Sequence, residues 1–195
     1  MQTIDYSRLK SGDLIILNDT DSITYAIEQG IKGVVLGVPV SVMSVETIED
    51  EDTGLQCYNI KLDNNTFMFL FVIDGNVDCF INRVPDWYQA GTRSDLLNTD
   101  QTFIFKEPED PENFELESLD IASEIVLEIE GEDVTLRSTI PTIYGTNQDD
   151  KLASVSLFSC DEMSAVILDY GENDSWIEFY EGYPVDIDQV EFLIK

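Results

Sequence analysis

Apolar side chains along this chain recur mostly at every second position, in short runs broken by Asp, Asn and Gly. That period puts alternate residues on opposite faces of an extended strand, whereas a helix spaces them three and four apart. The chain therefore predicts short strands joined by tight turns. Asp13 to Leu17 is the first, after a turn at Lys10-Ser11-Gly12. Thr20 to Gln29 predicts a short helix, with Asp19 or Thr20 as its cap and Gly30 at the C′ position. Gly33, Gly37 and Pro39 then make an irregular crossing.

The clearest β pattern follows. Pro39 to Ile48 predicts a strand ending in the acidic turn 49–54, with Leu55 to Leu62 as its antiparallel partner. Asp63-Asn64-Asn65 turns the chain into Thr66 to Ile73, Asp74-Gly75 is a strong hairpin signal, and Val77 to Val84 returns. These four strands predict a meander. Thr66 to Ile73 is apolar on both faces, so its expected place is central and covered on both sides.

Pro85 to Asp100 is a polar connection, and Thr102 to Lys106 a further strand. The prolines and acids of Glu107 to Pro111 mark the best candidate boundary. Ile121 to Glu130 alternates as a strand with Glu124, Glu128 and Glu130 toward water; Gly131-Glu132-Asp133 turns into Val134 to Arg137. Ala153 to Ser159, Ser164 to Tyr170 and Ser175 to Tyr180 are three more strands, and Ile187 to Ile194 closes the chain as a strand or short helix. The fold class is mostly β (α+β): antiparallel meanders with one short helix near the N-terminus. Two organisations stay open: one compact domain, or two similar β halves, residues 1–106 and an acidic 107–195.

Charge changes this picture most. Forty acidic residues stand against ten basic ones with no histidine, a formal net charge of −30 over 195 residues. Direct nucleic-acid binding needs clustered Lys and Arg, and anionic membrane surfaces attract polybasic segments, so both are disfavoured as ligands. A basic protein surface is the natural counterpart. Hydrophobic residues at 43% still supply a core, so the chain is expected to fold despite its charge. Cys57, Cys79 and Cys160 are widely spaced and odd in number, which predicts small buried hydrophobes in a reducing compartment. The opening MQTIDYSRLK lacks the pattern of a signal peptide and no run is long enough to span a bilayer, so a cytoplasmic location is the expectation.

Without histidine there is no Ser-His or Cys-His pair and no histidine for zinc. Neither a phosphate-binding loop nor a dinucleotide fingerprint is present. Asn18-Asp19-Thr20-Asp21-Ser22 begins as a calcium loop does, but lacks the turn glycine at its sixth position and the acidic ligand at its twelfth. No cofactor or metal is expected. Glu46, Asp78, Asp169 and Glu178 lie in strand-like segments and are candidates for acid–base work only if they point inward; the expectation is that they face solvent.

The segment from Glu107 to Asp133 carries many acids and no Lys or Arg. It admits three readings: a DNA-mimicking array of carboxylates, a docking surface for a basic partner, or a solvated edge whose charges prevent edge-to-edge pairing. The interleaved Phe114, Leu116, Leu119 and Ile121 count against pure mimicry. Glu107, Glu109, Asp110, Glu112, Glu115, Glu117 and Asp120 are the candidate partner-binding residues. Trp87 and Tyr88, in a polar loop with Arg83 and Arg93, join them as aromatic anchors, or else cover the end of a sheet.

The stretch Val166 to Tyr170, followed by Trp176 to Leu193 with its Glu181-Gly182-Tyr183-Pro184 turn, is similar to the ending of uncharacterised bacterial β-rich accessory proteins of the YjfK type. The opening Leu9-Lys10-Ser11-Gly12-Asp13 resembles the entry of related domains. The likeness covers about a fifth of the chain. It implies an accessory protein of a membrane-stress operon, encoded beside PspA-like coat proteins, and carries no catalytic residues. The expected function is a non-catalytic acidic protein that docks a basic protein partner. The alternative is a DNA-mimic inhibitor of a nucleic-acid-binding enzyme.

Overall fold

The computed structural model describes residues 5–63, 65–85, 91–92, 104–106, 124–129, 132–147, 149, 151–170 and 176–195. After a 3-10 turn at Tyr6–Arg8 come β1 (Leu14–Leu17) and α1 (Thr20–Glu28). Asp19 caps α1: its carboxylate accepts the amides of Asp21 and Ser22 at 3.2 and 3.1 Å. Ile23 and Ala26, three apart on one helix face, are fully buried, and the helix packs on the strand of residues 176–185.

The single strand expected over Pro39 to Ile48 is two, β2 (Val40–Ser41) and β3 (Ser44–Glu49). Consecutive amides at the break serve different sheets. Val42 donates to the Asp13 carbonyl and Met43 to the Lys61 carbonyl, both at 2.8 Å, so one continuous ladder is impossible. The predicted meander then follows as β3, β4 (Gln56–Lys61), β5 (Thr66–Ile73) and β6 (Asn76–Arg83). Asp74 and Gly75 have φ of 50° and 80°, the paired positive values that a two-residue hairpin turn needs to match strand twist.

The second half adds β7 (Gly91–Thr92), β8 (Ile104–Lys106), β9 (Glu124–Ile129), β10 (Glu132–Ser138) and β11 (Ile143–Thr146). It ends with β12 (Leu152–Ser159), β13 (Ser164–Tyr170), β14 (Trp176–Val185), a 3-10 turn at Ile187–Gln189 and β15 (Val190–Leu193). Glu132 and Asp133, expected in a turn, instead pair with Ile129 and Glu128. β14 runs five residues past its expected end at Tyr180, because it changes neighbours: residues 176–182 pair with β13 and 181–185 with β6.

That change of neighbour helps build an antiparallel eight-stranded barrel in the order β3-β4-β5-β6-β14-β13-β12-β11. The ring closes where Thr146 on β11 pairs with Glu49 on β3. Gly145 permits the closure, since a Cβ there would overlap the Glu49 carbonyl. Four wall strands precede residue 106 and four follow it. β10, β9 and β8 extend from β12, and β15-β1-β2 form a separate three-stranded sheet.

Alternation sorts the wall residues into two cores. Ile48, Cys57, Phe69, Phe71, Val155 and Leu168 form one cluster inside the barrel. Ile60, Met68, Leu70, Ile81 and Phe179 face outward against Ile15, Leu17, Ile23 and Ala26 from β1 and α1. Thr66 to Ile73 is apolar on both faces because both faces are covered, as its sequence predicts. Each fully buried Phe or Leu contributes about 1.5–3 kcal/mol relative to exposure. Cys57 and Cys79 are buried free thiols and Cys160 is a half-buried one. Among the described residues, no helix is long and apolar enough to cross a membrane.

Candidate functional site

Glu107, Glu109, Asp110, Glu112, Glu115, Glu117, Asp120, Trp87 and Tyr88 lie outside the described residues. Asn18 to Ser22 is the start of α1. The Asp19 carboxylate is engaged there by the Asp21 and Ser22 amides, and by the Asp186 amide at 3.4 Å. Burial raises the Asp19 pKa, but the bonds from Ser22, Asp186 and Asp21 outweigh it and hold the carboxyl below its ordinary value. Among the described residues, no three acids or thiols come together closely enough to hold a metal ion.

The four strand carboxylates divide. Asp78 is exposed as expected, whereas Asp169, against the expectation of a solvent-facing position, is half-buried on a face with Ala165 and Ile167 of the outer core. Glu46 and Glu178 correct the expectation of a solvent-facing position. Glu46 alternates with Ile48 and Glu178 with Tyr180, so both share the barrel's inner face, where they are half-buried. The Asn147 Nδ2 donates to Glu46 Oε1 at 2.8 Å, and the Tyr170 hydroxyl to Glu46 Oε2 at 2.6 Å. The Tyr180 hydroxyl makes a short bond to Glu178 Oε2 and accepts one from the Asn59 side chain. This polar cluster ties β3 and β4 to the opposite wall, β13 and β14.

Both phenols are pushed far above their ordinary range. Burial is the largest cause for each. Tyr170 is raised next by its bond to Glu46 and by the nearby charges of Glu46 and Glu178. Tyr180 is raised by Glu178, with a further contribution from Glu46. Each tyrosine therefore senses both carboxylates, and both stay protonated donors. Burial, with the Glu46 charge, likewise lifts the Cys57 thiol well above its ordinary value, so it is no nucleophile. A sequence signal for this cluster existed: Glu178-Phe179-Tyr180 places an acid and a tyrosine on one strand face.

A second site lies outside the barrel. An open pocket of about 400 Å³ is lined by Asp21, Ser22 and Tyr25 of α1, Asp161 and Glu162 of the β12–β13 turn, and Tyr183 and Pro184 of β14. Among the described residues, the lining holds three carboxylates and no Lys or Arg. The Tyr25 and Tyr183 rings meet edge to face with centroids 5.4 Å apart. Burial, then the Glu181 carboxylate, pushes the Tyr183 phenol up to about 12, with Arg83 pulling the other way. Arg83 itself binds Glu181 through Nε at 2.7 Å and Nη2 at 2.6 Å. Sequence reasoning missed this pocket because its acids lie about 140 residues apart, and nothing local joins them.

Comparison with known proteins found no matching family model, no matching curated sequence and no matching solved structure.

Proposed function

We propose that this protein is a non-catalytic acidic protein that docks a basic protein partner. One observation carries the reading: the pocket of Asp21, Asp161 and Glu162 over the Tyr25–Tyr183 pair, on a chain of formal charge −30. Its carboxylates attract a Lys or Arg side chain, and its aromatic rings contact the stem and the charged head. The rest of the surface steers encounter at long range and disfavours anionic competitors. The faint likeness to YjfK-type proteins suggests a setting: an accessory role in a membrane-stress system, encoded beside PspA-like coat proteins.

Affinity capture from a bacterial lysate at low and high salt tests the reading. The expected captured proteins are basic and are released as salt rises. An Asp161→Lys/Glu162→Lys double variant, folded by circular dichroism, is expected to bind at least about tenfold more weakly. Capture of only neutral or acidic proteins, insensitive to salt, would overturn the proposal. Stoichiometric displacement of duplex DNA from the captured partner would favour the DNA-mimic alternative.

A further inference from the structure

We propose that the inner face of the barrel around Glu46, Asn59 and Glu178 is a binding site for a small primary ammonium ion. The inference is independent of partner docking, which concerns the outer surface. It begins with two carboxylates that lack a cationic partner among the described residues. Glu46 and Glu178 are both half-buried, yet among the described residues no Lys or Arg lies within ion-pair distance of either; the one such pair is Arg83–Glu181. Lys61, also half-buried, sits 5.8 Å from the Phe67 ring centroid and pairs with neither carboxylate. Half-buried carboxylates are costly unless a cation or sufficient donors compensate them.

The second observation is Asn59. It is 8% exposed, it stands opposite Glu46 in the β3–β4 register, and its Oδ1 has no hydrogen-bond partner. Its amide group is already committed to the Tyr180 phenol. Asn147 and Tyr170 already donate to Glu46, and Tyr180 to Glu178. What the cluster lacks is positive charge and a donor to Asn59 Oδ1. A complementary ligand brings positive charge and several N–H donors.

An alkylammonium group meets that description with three donors on a compact head. A guanidinium fits less well. Its planar fork seeks both oxygens of one carboxylate, and both oxygens of Glu46 already accept bonds. The described acids do not form a metal-binding group. Beside Tyr180, the Phe67 and Phe69 rings stand with centroids 4.8 and 5.0 Å from its own. They provide an apolar wall for the alkyl end.

The test is calorimetric titration of the whole chain with n-butylammonium chloride, against tetramethylammonium chloride and n-butanol. The first has charge and donors, the second charge alone, the third no charge. The expected result is saturable one-to-one binding of n-butylammonium, at least about tenfold tighter than either control. Glu178→Gln and Asn59→Leu should each weaken it about tenfold or more, with the fold checked by near-ultraviolet circular dichroism. Should these variants fail to fold, Tyr180 ring shifts followed by NMR in the unaltered protein must saturate with n-butylammonium and not with tetramethylammonium. Asp78→Asn, at an exposed position of β6 outside both sites, should leave the binding unchanged. Equal binding of tetramethylammonium, absence of saturation, or tighter binding of calcium chloride would each overturn the proposal.

Discussion

At the scale of single residues, carboxylates in this protein do two opposite things. Among the described residues, most are exposed to solvent, where like charges repel, while a few are built into the fold as acceptors. Asp13 is the clearest of the latter. It is fully buried and accepts the backbone amides of Lys195 and Lys10, each at 3.0 Å. The Lys195 amide, followed by that of Lys10 and the charges of both lysines, outweighs burial and holds its carboxyl below the ordinary value. A depressed folded pKa adds stability that is fully present above the unfolded value, near about 4, and is lost as pH falls through the folded value. Asp13→Asn should therefore lower Tm at neutral pH, since its NH2 opposes one of the two amide donors. The gap from the unaltered protein should narrow below about pH 4. Thermal melts in moderate salt check this, and a gap constant into strong acid would remove Asp13 as the cause.

At the scale of elements, the hairpins are local and the closures are not. Asp74-Gly75 dictates the β5–β6 turn by backbone chemistry alone, and the sequence reading places β5 residue for residue. β11 meets β3 across nearly a hundred residues of chain, through the single registered pair Thr146 and Glu49. Gly145 is the residue that this seam depends on. In an ordinary strand, replacing Gly by Ala gains stability, because glycine loses more backbone entropy on folding. Here the added methyl collides with the Glu49 carbonyl, so Gly145→Ala should reverse the sign and cost roughly 1–3 kcal/mol. Urea unfolding measures it, and a neutral or stabilising result would mean that β11 does not close the ring as described. The same distinction explains the split of β2 from β3. Apolar content continues through Val42, and only the carbonyls offered by Asp13, just before β1, and by Lys61 of β4 decide which sheet each amide joins.

For the whole molecule, the balance is between a doubly covered barrel wall and its charge. The inner and outer clusters draw on both halves of the chain, and β1 pairs with β15 across the sequence. A net charge of −30 opposes this compaction through repulsion that dissolved salt screens over about 10 Å at 0.1 M. Calorimetry from low to moderate NaCl should show Tm rising. A fall would mean that attractive pairs outweigh repulsion, against forty acids and ten bases.

The sequence alone determined most of the strands, the Asp74-Gly75 turn, the capped helix and the net charge, because each depends on neighbours a few residues away or on composition; the break between β2 and β3, the far end of β14 and the whole of β11 came from long-range pairing. Tertiary structure decided which strand faces point into the barrel, and so that Glu46 and Glu178 are half-buried. It also brought Asp21 beside Asp161 and Glu162. The physical reason is that alternation separates two faces without saying which is inside, and it says least when both are buried. That choice follows from ring closure, whose partners lie far apart along the chain and are joined only when the whole wall is assembled.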